Sequence, residues 1–195
     1  MASTAEHARL GRPAKVDDAG VATRERLLAA AAAACVEHGF DGATVGDIAR
    51  RADVSAPAIY NHFGGKVELM VAAGRAALSR LGPSESAPRP TARAVARAFL
   101  ADGFAPTRRL LLELHLASQR HPELAMLLAD WHAAQAATWR PVSGRDRDAV
   151  VKVFFALLLG LCQIESLVAL DASKSAVVRQ AEAMAAVLFP EEEPQ

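Results

Sequence analysis

The segment Thr44–Lys66 reads TVGDIARRADVSAPAIYNHFGGK, and its punctuation decides how the chain folds. Thr44 is followed three residues on by Asp47, a capping-box-like pair with Asp in the place usually held by Glu or Gln, so a short helix opens there. That helix carries Val45, Ile48, Ala49 and Ala52 and stops at Asp53. Ser55 reads as the N-cap of the next helix, Pro57 falls in its first turn where proline is tolerated, and Gly64-Gly65 ends it. Ile48 and Ala49 face inward, Asp53-Val54-Ser55 makes the turn, and Ile59 and Phe63 lock the second helix onto the first. Two short helices joined in this way project the second so that its outer face fits a DNA major groove, while the first crosses the backbone. Purely structural helical pairs share the geometry, with Val54, Ile59 and Phe63 in the core in either case.

Outward from this unit, the chain reads as helix throughout. A helix is expected after Thr23, through the alanine block to Glu37, with Gly39 supplying a left-handed turn at its end. Leu27, Leu28, Ala31, Cys35 and Val36 give it an apolar stripe near helical period. A further helix runs from Lys66 to about Leu81. Gly82–Pro90, Gly-Pro-Ser-Glu-Ser-Ala-Pro-Arg-Pro, is the one clear linker. Beyond it, helices are expected over Thr91–Asp102, Thr107–Gln119, Pro122–Trp139, Asp146–Leu170 and Ser173–Leu188, with no strand-like alternation and no internal repeat. The expected architecture is all-α. A flexible basic arm (1–21) precedes a helix-turn-helix domain with its connecting fourth helix (22–81), and a larger helical ligand-binding and dimerisation domain follows (91–190).

The outer face of the second short helix would carry Ala56, Pro57, Ala58, Asn61 and His62. Small apolar groups can touch thymine methyls, and an Asn can contact adenine bidentately. Tyr60, His62 and Thr44 can reach phosphates. Lys66 stands at a helix N-terminus, where a cation opposes the helix dipole; a phosphate there would satisfy both the lysine and the free N–H groups.

At these residues the sequence resembles the tetracycline-repressor (TetR) family of bacterial regulators. The resemblance covers roughly residues 23–71: TRERLLAAAAAACVEHGF, then DGATVGDIARRADVS, then IYNHFGGKVELM. It implies backbone contacts from Thr44, Tyr60, His62 and Lys66, and base reading by Ala56, Pro57, Ala58 and Asn61. The chain departs from the family pattern at two places. Asp53 stands where the family usually has Gly, and Asp tolerates a left-handed backbone better than most residues. Gly65 stands where a serine often precedes the lysine, which makes a weaker cap. In the arm, Arg9-Leu-Gly-Arg-Pro-Ala-Lys15 contains a Gly-Arg-Pro core similar to an AT-hook, so Arg9, Arg12 and Lys15 are candidates for a narrow minor groove, or belong to a disordered basic tail.

Composition is consistent with this architecture. The chain is 52% hydrophobic with only 5% aromatic residues, rich in Ala and Leu, and formally uncharged overall. A zero total conceals a basic arm at one end and an acidic tail, Pro190–Gln195, at the other. Cys35 and Cys162 have neither metal-ligand nor redox spacing and read as buried small hydrophobes. Residues 1–20 lack the apolar core of a signal peptide. The most apolar stretch, Val150–Cys162, contains Lys152 and is too short to span a bilayer, so a soluble, cytoplasmic protein without membrane association is expected.

One short helix reads a half-site weakly, so pairing into a homodimer on a near-palindromic operator is expected. The candidate pairing surface is the last two helices. The first carries Val150, Val151, Val153, Phe154, Phe155, Leu157, Leu158, Leu159, Leu161 and Ile164; the second adds Val177, Met184, Val187 and Leu188. In the resembling family these helices form a four-helix bundle with their mates; an intramolecular core is the other reading. For a small-molecule effector, apolar or amphipathic, the candidate pocket residues are Phe99, Phe104, Leu112, His115, Trp131, Gln135, Trp139 and Phe155, which are equally suited to core packing. The resemblance implies that such an effector shifts the fourth helix and spoils the spacing of the reading heads, so that a repressor is released. No Gly-x-Ser-x-Gly, Gly-x-Gly-x-x-Gly, His-Glu-x-x-His or P-loop motif occurs, and the histidines do not cluster at ligand spacings, so neither an enzyme nor a cofactor is expected. The alternative is an architectural DNA-binding protein without a ligand, against which the size of the C-terminal domain counts.

Overall fold

The computed structural model describes residues 14–81, 91–138, 146–167 and 174–190, and every regular element among them is helical. Side chains at 14–19, 138 and 164–167 fall outside that description. So do the expected linker at 82–90, the breaks at 141–144 and 171, and the arm through residue 13.

α1 (Ala14–Gly42) starts earlier than the cap at Thr23 suggests. No proline interrupts residues 14–22. The helix is kinked at Gly39, whose φ of 72° and ψ of 170° are essentially restricted to glycine. Leu27, Ala31, Ala34 and Cys35 are fully buried, with Leu28 and Val36 packed at the margin, as the stripe predicts. α2 (Val45–Arg51) and α3 (Ala56–His62) follow, joined through Asp53 at φ 53°. Asp does stand in for glycine at this left-handed turn. α4 (Lys66–Ser79) closes the N-terminal unit.

The remaining chain builds a helical body from α5 (Ala92–Leu100), a short 3-10 turn over Asp102–Phe104, α6 (Ala105–Ser118), α7 (Pro122–Thr138), α8 (Arg147–Leu167) and α9 (Lys174–Leu188). Thr91 caps α5, its Oγ1 accepting from the Ala94 N–H at 3.2 Å. α9 packs along α5, where the Arg97 guanidinium grips Glu182 with two bonds of 2.6 and 2.9 Å. Lys174 pairs with Asp102 beside it.

One continuous core runs through both halves of the chain. α1 packs against α2 and α4 on one side and α6 on another, and α4 also packs against α6 and α7. At Gly74 the α4 backbone lies so close to the body that an added Cβ would stand 2.7 Å from Leu114 and 3.1 Å from Leu127. α4 therefore belongs as much to the body as to the N-terminal unit.

Both cysteines are buried. Burial, reinforced by the charge of Glu113 and opposed by Lys66, pushes the Cys35 thiol up to about 12. The Cys162 Sγ–H donates to the Leu158 carbonyl at 3.1 Å. The native protein is expected to leave a disulfide reagent essentially unreacted at pH 8, where about one Cys35 in ten thousand is thiolate. Both thiols should react in denaturant. Prompt reaction of a thiol in the native state would contradict the packing described here.

Candidate nucleic-acid interface and body cavities

The helix-turn-helix rests on a small set of apolar contacts. Ile48 and Ala49 of α2, Ala52, Ile59 of α3 and Phe63 after it are all buried, and Arg24 of α1 lies over the Phe63 ring at 5.3 Å. Ile59 is the only buried residue of α3. Pro57, Tyr60 and Asn61 are exposed, and Ala56, Ala58 and His62 are partly so. Tyr60 is 59% exposed. Of the candidate base-reading residues, Pro57 and Asn61 are thus open, while Ala56 and Ala58 are partly covered, Ala56 by packing against the core.

α2 is anchored to α1 by charge. Thr44 Oγ1 accepts from the Asp47 N–H at 3.1 Å, closing the cap that the sequence predicts. Arg51 reaches Asp47 at 3.0 Å, Glu37 of α1 at 2.6 Å and the His38 ring at 3.3 Å, while Arg50 also pairs with Asp47. Burial alone would raise the Asp47 carboxyl. The hydrogen bond and charge of Arg51, with the charges of Arg50 and His38, outweigh it and hold the group below its ordinary range.

Lys66 is placed differently from the sequence argument. Its ammonium does not stand unsatisfied at the start of α4; it turns back to the end of α1. There it donates to the carbonyls of Phe40 at 2.9 Å and Asp41 at 3.3 Å and lies 4.9 Å from the Phe40 ring centre. A cation at a helix C-terminus is favourable, so the lysine has a stabilising role that needs no phosphate. The α4 start is served instead by Glu68, which accepts from the Gly64 N–H at 2.7 Å. The same end of α1 meets the body: Arg120 pairs with Asp41 at 2.5 Å, and His121 packs on Phe40 with ring centres 4.5 Å apart. Arg9 and Arg12 lie outside the described residues, as does the side chain of Lys15.

In the body, Trp131 and Phe155 meet edge to face at 4.6 Å, and Phe99 contacts Phe104 at 5.8 Å. Phe99, His115, Trp131 and Phe155 border a common void of only about 10 Å³, at the lower limit for a single water, so this cluster is packed core. Leu112 is half-buried and Gln135 is buried, and neither borders that void; Trp139 lies outside the described residues. His115 alone among these candidates also borders an open cavity of about 410 Å³ between α6, α7 and α8, together with Ser118, His132, Asp148 and Lys152. The histidines are not all scattered: His115 and His132 lie with ring centres 5.8 Å apart. Nothing in sequence spacing signals this, because the two sit on different helices 17 positions apart. Among the described residues no group of three or more His, Cys, Asp or Glu side chains is arranged to hold a metal ion, and no helix is long and apolar enough to cross a membrane.

Residues 27–73 match the family model described as bacterial regulatory proteins, tetR family. This N-terminal segment is thus similar to that of the TetR family. Solved structures agree in fold. A regulator from Rhodococcus sp. assigned to the TetR family superposes with a TM-score of 0.64 at 20% identity, over 84% of this chain and 98% of that one. GusR of Salmonella enterica gives 0.67 at 20% identity, over 93% and 99%. EbrR, a multidrug binding protein solved with imidazole, gives 0.55 at 24% identity, over 87% and 96%. No curated protein matches the chain significantly.

Asp47→Asn should lower the thermal unfolding midpoint at pH 7. Because the folded state holds the Asp47 carboxyl below its unfolded value, its contribution is complete above that value and disappears as pH falls through the folded one. The gap between variant and wild type should therefore close in acid. A gap that does not narrow as pH falls below about 4, followed by circular dichroism, would show that the ion pairs do not hold α2.

Proposed function

We propose that this TetR-like chain is a ligand-responsive transcriptional regulator, acting as a repressor that binds a near-palindromic operator as a homodimer and is released by a small effector. The observation that carries the reading is the division of labour on α3: Ile59 is buried, while Pro57, Tyr60 and Asn61 are open to a partner. On this reading Asn61, with Ala56, Pro57 and Ala58, reads bases, while Tyr60, His62 and Thr44 contact phosphates. Lys66 stabilises the end of α1 and can offer at most its remaining N–H to a phosphate. Arg9, Arg12 and Lys15 extend the contact into the minor groove.

Pairing is supported by an apolar surface on the last two helices. Val153 and Leu157 of α8 and Val187 of α9 are 54%, 44% and 64% exposed, and a groove of about 490 Å³ runs between α8 and α9 past Gly160, Leu161 and Met184. Clustered exposed aliphatic side chains of this kind mark association surfaces. A small-molecule effector is supported by the 410 Å³ cavity and, by likeness of fold, by the multidrug binding of EbrR. An effector acts only through its preference for the non-binding conformer, and that preference sets the loss of DNA affinity.

Two experiments test the proposal. In titrations of the purified protein against its own upstream DNA and a random duplex, Tyr60→Ala should weaken specific binding roughly tenfold, as expected for a lost phosphate contact. Asn61→Ala should relax discrimination at one base pair by about 1–3 kcal/mol. Equal affinity for both duplexes, together with no preferred site in a random-oligonucleotide selection, would defeat the regulator reading. Independently, Leu157→Glu should convert a sedimenting dimer to a monomer that keeps its helical spectrum; an unaltered dimer would place the pairing surface elsewhere.

A further inference from the structure

His115 of α6 and His132 of α7 form a partition between two spaces. On one side lies the closed aromatic void beside Trp131 and Phe155; on the other lies the 410 Å³ cavity, within the about 300–1,000 Å³ usual for small-molecule sites. His132 stacks on Phe155, ring centres 5.4 Å apart at 26°, which fixes its plane. The Nε2 atoms of both histidines are buried and have no hydrogen-bond partner. For His115 the tautomer follows from geometry: Nδ1 lies 2.7 Å from the Leu111 carbonyl, an acceptor only, so Nδ1 carries the proton and Nε2 presents a bare lone pair. A buried acceptor without a donor costs free energy; both nitrogens are sealed in this structure, so a ligand in the cavity would reach them once a small side-chain shift opens the partition, and its O–H or N–H would then recover that cost.

The charge of the site comes from elsewhere. Burial lowers His115, against the opposing Leu111 hydrogen bond. Burial, the His115 ring and the Lys152 charge bring His132 down to about 4, so both rings are neutral near pH 7. Lys152 of α8 borders the same cavity, is exposed, and has no ion pair among the described residues. Asp148 lies one turn earlier at the rim, but the external charge felt at His132 is that of Lys152. Ala125, Ala129 and Ala133 of α7 supply a smooth apolar wall.

We infer that this cavity binds a small amphipathic hydroxy acid, its hydroxyl donating to an imidazole Nε2, its carboxylate at Lys152, and its hydrocarbon body against the alanines of α7. The inference rests on the effector reading above and names the ligand class for it. Such a ligand would tie α6, α7 and α8 together. α6 and α7 flank the Arg120–His121 turn that grips the end of α1, and they press on α4 at Gly74, so a shift in either reaches the reading head.

The test titrates the full chain with 4-hydroxybenzoate, benzoate and tyramine, following the imidazole nitrogen resonances of His115 and His132 while measuring operator affinity in parallel. 4-Hydroxybenzoate should shift an Nε2 resonance. Benzoate, lacking the donor, should bind roughly tenfold more weakly. Tyramine, whose ammonium meets Lys152, should also bind more weakly. Lys152→Gln, a surface change that leaves the core intact, should weaken 4-hydroxybenzoate roughly two- to fivefold while leaving tyramine no weaker. No imidazole shift with the acid, or tyramine binding as well as the acid in both proteins, overturns the inference. Imidazole shifts without any change in operator affinity would keep the site and remove the effector reading. Operator release by a compound that leaves both histidines untouched would keep the effector reading and overturn the site.

Discussion

The structure depends on one helix packing on two fronts at once. α1 must support the helix-turn-helix through α2 and α4 and still lie against α6 of the body. A helix with large residues on both faces would hold its neighbours apart. The run Ala29–Ala34 solves this by letting other backbones approach: Ala30, Ala31 and Ala34 are buried between Leu27 and Cys35, and alanine costs no side-chain entropy on burial. The end of the same helix is fixed from three directions, by the Lys66 ammonium, the Arg120 guanidinium and the His121 ring. Reading head and body therefore share a joint, and neither can reorient without disturbing it.

That arrangement gives the functional reading its physical content. A tight interior transmits displacement because it has no slack, and the contact at Gly74 is backbone against side chain with no intervening methyl to yield. The cavity beside His115 and His132 lies between α6, α7 and α8. The two Nε2 nitrogens are the buried side-chain polar atoms left without a partner among the described residues, a small reserve of unsatisfied bonding.

The sequence carried the local structure well and the contacts between helices poorly, for a physical reason. Caps, turns and apolar stripes are written within a few residues, so Thr44, Thr91, the Asp53 turn and the Leu27–Cys35 stripe all lie where their chemistry puts them. The start of α1 at Ala14 was hidden because Thr23 offers a good cap to a chain that has no need to stop there. Lys66 looked unsatisfied because its partners, Phe40 and Asp41, are some 25 positions away. Phe99, Trp131 and Phe155 pack around a void too small for a ligand, whereas the polar residues beside the open cavity, His132, Asp148 and Lys152, carry no pattern in the sequence that marks them. Periodicity says which residues turn inward; only the packing of helices on one another says whether they meet a neighbour or a space.

The single buried residue of α3 has a consequence for how such a protein diversifies. Because Ile59 carries the packing of that helix almost alone, the remaining positions are released from the demands of folding. On the proposed reading, substitutions at Pro57, Tyr60 or Asn61 would alter what is recognised while leaving the scaffold's stability nearly untouched. After gene duplication, descendants could acquire new target sites in single steps, without passing through unfolded intermediates in sequence space. The scaffold is conservative so that its address can be rewritten.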